Sequence, residues 1–134
     1  MSYASVVTLY GKNRALSLLF GGGGTAFGYI GVGTGVTTPT EASETLNTEC
    51  TEAAGDYVRL ALTSTFPGQA GGVNKKVTSE ATFDVDNITN ETNITELAIY
   101  DNSSGGKAFC ICQIPPTLKT SAKKVKFIIT NSVA

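Results

Sequence analysis

The chain has 134 residues, 41% hydrophobic and 16% charged, with a formal net charge of −1 and neither histidine nor tryptophan. That length can bury one core and is too short for two. The lack of histidine removes the usual general base at neutral pH and the commonest metal ligand, and a balance without excess Lys and Arg argues against a nucleic-acid partner. Abundant Gly, Thr, Ser and Asn suit strands and turns, so composition alone points to a mainly β protein.

The N-terminal stretch MSYASVVTLY (1–10) has two readings. It is an ordinary edge strand, or it touches a partner, because Val6, Val7, Leu9 and Tyr10 are more apolar than a free tail should be. Residues 12–20, KNRALSLLF, set Ala15, Leu16, Leu19 and Phe20 at helical spacing, with Asn13 as N-cap and Gly21 as stop, and predict one short helix. Lys12 and Arg14 before ALSLLF mimic a signal peptide, but that run is too short for its hydrophobic region. No stretch approaches the roughly 20 apolar residues of a membrane span.

Residues 18–35, LLFGGGGTAFGYIGVGTG, hold eight of the fifteen glycines. They do not make a phosphate cradle. The two Gly-Lys pairs, Gly11-Lys12 and Gly106-Lys107, lack the following hydroxyl of a P-loop, and no G-x-G-x-x-G opens a helix. Gly21–Gly24 are expected to end the helix and reverse the chain with positive φ. Gly28, Gly31, Gly33 and Gly35 are expected to punctuate a strand approached closely by other backbone.

The polar stretch TGVTTPTEASETLNTEC then reads as a loop with one helical turn capped by Thr40. From Glu41 to Asp56 it carries five acids and no base, whereas Asn102 to the end carries five lysines and no acid. That separation suits either neighbour-to-neighbour charge matching or two solvated faces.

Period-two patterns follow. DYVRLALTST points Val58, Leu60 and Leu62 one way, and Tyr57, Arg59 and Ala61 the other. KVTSEATFDV sets Val77, Ser79, Ala81, Phe83 and Val85 inward. NITELAIYD sets Leu97 and Ile99 against Glu96, Ala98 and Tyr100. KAFCICQI is apolar throughout and predicts a strand covered on both faces. KKVKFIIT turns Val125, Phe127 and Ile129 inward and Lys124 and Lys126 outward. Turn signals separate these runs at 66–72, 86–93, 101–106 and 115–121. The sum is a single-domain β-sandwich, jelly-roll or immunoglobulin-like, with an N-terminal arm and helix in 1–24 and strands over 25–134.

Chemistry-bearing patterns are weak. Cys50, Cys110 and Cys112 are odd in number and without partner histidines, which suits buried free thiols in a reducing compartment better than a metal site. The carboxylates Glu80, Asp84, Glu96 and Asp101 are of a kind any β protein carries on wet faces. Asp84, Asp86 and Asn87 lack calcium-loop spacing and offer at most an adventitious ion site. No cofactor and no catalytic residue is expected.

Three pieces in order, TLYGKNRALSLLFGG, FGYIGVGTGVTTPTEASETLNTE leading into YVRLAL, and ITELAIYDNSSGGKAFCICQIPPTLKTSAKKVKFIIT, resemble small virion structural proteins of tailed bacteriophages, of the head-decoration or tail-fibre and collar type. The pattern in that group usually has glycine where this chain has Ala98. The resemblance implies a non-enzymatic virion protein assembled in the bacterial cytoplasm, a homo-oligomer bound to the major capsid protein or other virion proteins, with no nucleic acid and no membrane.

With no stalk-like repeat, head decoration is the leading expectation, and a tail-fibre, collar or baseplate component the alternative. A carbohydrate-binding module is a third reading, with Tyr57 and Tyr100 as its exposed aromatics. The partner-binding residues expected are Val6, Val7, Leu9, Tyr10, Glu41, Glu44, Glu49 and Glu52.

Overall fold

The computed structural model describes residues 3–65 and 76–132. Among them are β1 (Ser5–Val7), α1 (Leu9–Leu19), β2 (Tyr29–Gly33), a 3-10 turn (Glu52–Ala54), β3 (Leu60–Ala61), β4 (Thr63–Thr65), β5 (Lys76–Phe83), β6 (Thr92–Tyr100), β7 (Ala108–Lys119) and β8 (Val125–Ser132). The strands form a five-stranded sheet, β1-β7-β6-β2-β3, and a three-stranded sheet, β4-β5-β8, with every pair antiparallel. This is the mainly β sandwich with one N-terminal helix that the sequence predicts. The expected turn at 66–72 lies outside the described residues.

The main core lies between the sheets. Ile30, Val32, Phe83 and Ile94 are fully buried there with Leu97, Ile99, Phe127 and Ile129 close behind. Ser79, Ala81 and Phe83 of β5 face inward as the alternation requires, and Phe127 and Ile129 of β8 meet them. Phe83 stacks on Tyr57 and meets Phe127 edge-on, with ring centroids 6.4 and 6.0 Å away.

The outer face of β6 departs from expectation. Glu96, Ala98 and Tyr100, set by alternation on the face opposite Leu97 and Ile99, are 2%, 0% and 0% exposed, although Glu96 is of a kind expected on wet faces. They lie under a second small core with Leu46, Ala108 and Ile111, roofed by the segment after β2. β7, read as a continuous apolar run, is covered on both faces as that pattern implies, whereas β6 keeps an alternating sequence although both of its faces are covered.

The roof is held by one carboxylate. Glu96 accepts the backbone N–H groups of Gly35 (2.9 Å), Asn47 (3.0 Å) and Thr48 (2.8 Å). The Tyr100 hydroxyl accepts the Leu46 N–H at 2.9 Å. Glycines make room for this. A Cβ on Gly33 would sit 2.4 Å from the Thr48 carbonyl oxygen, and one on Gly35 would sit 2.5 Å from the Glu96 carboxylate. Gly21, Gly23 and Gly24 have φ of 75°, 83° and 114°, which reverses the chain after the helix.

Four boundaries differ from the sequence reading. The helix begins at Leu9, not Lys12, because Thr8 is its cap: the hydroxyl accepts the Gly11 N–H (2.9 Å) and donates to the Ala108 carbonyl (2.7 Å). The helical turn of the acidic loop is the 3-10 turn at Glu52–Ala54, capped by Thr51; at Thr40 the chain makes only a hydrogen-bonded turn closed by Ser43. DYVRLALTST is no single strand. Tyr57 is buried and Val58 is 59% exposed, and the chain leaves β3 at Ala61 and enters the other sheet at Thr63. Finally, Pro115 and Pro116 do not end β7, which runs on to Lys119 past a register shift opposite Ile94–Glu96, a bulge where proline is tolerated.

Lys119 closes β7 fully buried, its ammonium donating to the carbonyls of Thr120 (2.7 Å) and Ile88 (3.3 Å). Desolvation lowers its pKa, while Asp84 and Asp86 oppose that shift. The Asp84, Asp86, Asn87 trio is therefore no open ion site: the adjacent cation is the chain's own, and Asn87 is buried with its amide donating to the Val58 carbonyl at 3.4 Å.

Gly33→Ala should cost about 1–3 kcal/mol in urea denaturation, because the Thr48 carbonyl and the Glu96 carboxylate block the added methyl. Gly28→Ala, which meets nothing within 4 Å, should stay within about 0.5 kcal/mol of the parent. Equal effects would refute the account of the glycine bed.

Candidate interaction surface

The helix is docked by its polar and small side. Gly11 is buried, and a Cβ there would lie 2.4 Å from the Phe109 carbonyl oxygen, so α1 rests on the backbone of β7. The consequence is an inverted amphipathic helix. Leu9, Leu16, Leu19 and Phe20, which share the outward stripe, are 50%, 56%, 77% and 84% exposed. The periodicity that predicts the helix is correct, but its apolar stripe meets solvent and no core.

Around the helix start the polar side chains form one network. Tyr10 donates its hydroxyl to Asp101 at 2.7 Å, Arg14 lies 3.6 Å from the same carboxylate, and Arg14 also donates to the Thr25 carbonyl at 2.9 Å. Lys107 lies over the Tyr10 ring, 5.3 Å from its centroid, and pairs with Glu44, while Lys12 pairs with Glu41. The Leu9 N–H donates to the Glu41 carbonyl at 2.8 Å, so helix and acidic loop are neighbours. Burial pushes the Asp101 carboxyl up, but hydrogen bonds from Tyr10 and the Lys107 N–H, with the charge of Arg14, hold it below the ordinary carboxylate range.

A second network lies at the other end of the loop. Arg59 makes a two-pronged pair with Glu49, Nε and Nη2 each 2.8 Å from an oxygen, and donates through Nη1 to the carbonyls of Asn102 and Gly105. Its guanidinium carbon sits 3.5 Å from the Tyr100 ring centroid. Tyr57 also donates to Glu49, at 2.6 Å. Burial works against the charged form of Glu49, yet the hydrogen bonds from Arg59 and Tyr57 bring its pKa below the usual value.

Of the eight residues expected to touch a partner, the fold gathers Leu9, Tyr10, Glu41 and Glu44 on one surface. Val6 and Val7 belong to edge strand β1, opposite Ile111 and Cys110, and pack partly buried on the two cores. Glu49 is occupied by Arg59, and Glu52 opens the 3-10 turn. Sequence reading missed Leu16, Leu19 and Phe20 as surface, because helical spacing alone does not tell a core face from a partner face. Tyr57 and Tyr100 are 7% and 0% exposed, so the aromatic platform expected of a carbohydrate-binding module is absent at those positions. Glu80, Asp84, Glu96 and Asp101 are likewise separate: Glu80 and Asp84 pair across strands with Lys126 and Lys124, and the other two serve the roof and the helix network.

This β-sandwich ties its carboxylates to its own backbone and cations and turns an apolar helix stripe outward. Residues 7–131 match the family described as Podophage GP4 fiber I protein gp80, and the chain belongs to that family. It is thus a phage virion structural protein of the fibre type. The head-decoration role expected from sequence finds no support in this match, which favours the tail-fibre alternative. No curated protein and no solved structure gives a significant match.

Both lowered carboxyls, Asp101 and Glu49, contribute stability that is complete above the unfolded carboxylate range, near pH 4, and lost as pH falls through their lower folded values. The melting temperature should be flat from about pH 7 to 5 and fall below about pH 4. In the Glu49→Gln, Asp101→Asn double variant the melting temperature at neutral pH should be lower and the acid slope shallower, as read by circular dichroism.

Proposed function

We propose that the protein is a non-enzymatic component of a fibre on the tail of a short-tailed phage, joining neighbouring virion chains through α1 and the adjoining acidic loop. The observation that carries this reading is the outward apolar stripe Leu9, Leu16, Leu19 and Phe20, which adds nothing to the protein's own core. A stripe of this kind gains stability only by being covered, and repetition in a particle lets a modest contact suffice. The intrachain pairs Lys12–Glu41 and Lys107–Glu44 border it with neutralised charge, so a neighbour meets an apolar strip with a polar rim. Free Cys50, Cys110 and Cys112 fit assembly in the reducing cytoplasm of the host.

The Leu19→Ser, Phe20→Ser double variant should keep its stability within about 0.5 kcal/mol, since both side chains are solvent-facing. It should nevertheless fail to enter particles in a complementation assay. Antibody against the protein should label the tail and block adsorption while heads stay intact. Labelling spread over the head, with adsorption unaffected, would overturn the tail reading.

A further inference from the structure

Among the described residues the two sheets differ in width, five strands against three. On one side the chain steps from β3 to β4 through Leu62 and the sandwich is closed. On the other side β1 and β8 end their sheets, with no further described strand beyond either. Between these edges lies an open trough of about 450 Å³, floored by Leu97, Cys110 and Cys112. Its walls are runs of consecutive residues, Ser5 to Val7 and Ile128 to Ser132, so main chain as well as side chains lines it. No lining residue carries a charge.

Lys126 guards only the start of β8; from Phe127 to Ser132 the strand carries neither charge nor proline. Its register with β5 runs unbroken from Lys76–Ser132 to Phe83–Val125, and Ile128 on its outer face is 57% exposed. A strand laid in the trough would find unpaired backbone groups along β8 and an apolar floor for alternate side chains. It would add a fourth strand to the three described in the narrower sheet. A second copy of this chain is the poorer occupant. Its described strands are held in their own ladders and leave no free strand to lend.

We propose that the trough between β1 and β8 receives an extended, uncharged strand of about five residues, apolar at alternate positions, from a different virion protein. This rests on the reading that the chain works within an assembled virion. Cys112 provides the probe. A hydrogen bond from Cys110, aided by Ser5, lowers its thiol below the ordinary range, whereas Cys50 is pushed up to about 11 by burial. Iodoacetamide should therefore alkylate Cys112 first in the isolated protein. In intact particles Cys112 should label at least tenfold more slowly.

A benzophenone amino acid at Asn131, which lines the trough, should crosslink in particles to a strand of another virion protein. Asn131→Lys, tested for its melting temperature in isolation, should fold yet abolish the protection of Cys112 in particles. Unchanged Cys112 labelling in particles, or a crosslink to a second copy of this chain, would overturn the proposal. Neither result touches the fibre reading, which stands or falls on where antibody labels the virion.

Discussion

The roof over the five-stranded sheet depends on the Glu96 carboxylate, 2% exposed, that accepts three backbone N–H groups from a single loop. Burying a carboxylate is costly unless its lone pairs are filled, and here main-chain donors fill them. The arrangement demands bare backbone beneath the loop, which glycine at Gly33 and Gly35 supplies, and it demands that Tyr100 lie flat enough to offer its hydroxyl to Leu46. With the roof in place, Leu46 seals a second core, Glu49 is set where Arg59 grips it, and Arg59 in turn ties the β6–β7 hairpin through Asn102 and Gly105. Loop, edge strand and hairpin thus share one set of constraints.

The helix obeys the opposite logic. It is anchored through a threonine hydroxyl, a glycine and the Tyr10–Asp101–Arg14 network, and its large apolar side chains take no part. Apolar groups left over after folding are available for association, and in a particle built of many chains that availability is useful. The same holds for the unequal sheets: among the described residues one flank of the sandwich ends in two unpaired edges, β1 and β8. In both readings proposed above, association falls on surfaces that the described fold does not use for its own core.

Much of the sandwich is legible in the sequence. Strands buried on one face, β5 and β8, announce themselves by alternation, and Ser79, Ala81, Phe83, Phe127 and Ile129 lie where that alternation puts them. The close approach of backbone to the glycine-punctuated strand is also readable, since alternating glycines in a strand need a reason. Sequence reading fails where a neighbour far along the chain decides the environment. Glu96 reads as wet until residues 35, 47 and 48 are known to close over it. Thr8 looks like part of a strand because Gly11, a poor helix residue, hides the helix start, and that glycine is tolerated only because β7 comes so near. Leu19 and Phe20 mark the helix by their spacing, and spacing reports a face without saying what the face meets. Of the expected partner residues, Leu9, Tyr10, Glu41 and Glu44 lie together on one surface, while Glu49 is tied to Arg59.

The roof is gripped by its main chain. Glu96 holds the amides of Asn47 and Thr48, not their side chains, and Thr45, Asn47 and Thr48 are all exposed along the crest. Residue identity there can therefore drift while the path of the loop stays fixed. A fibre protein built this way can renew the chemistry it shows to its surroundings one residue at a time, without renegotiating its fold.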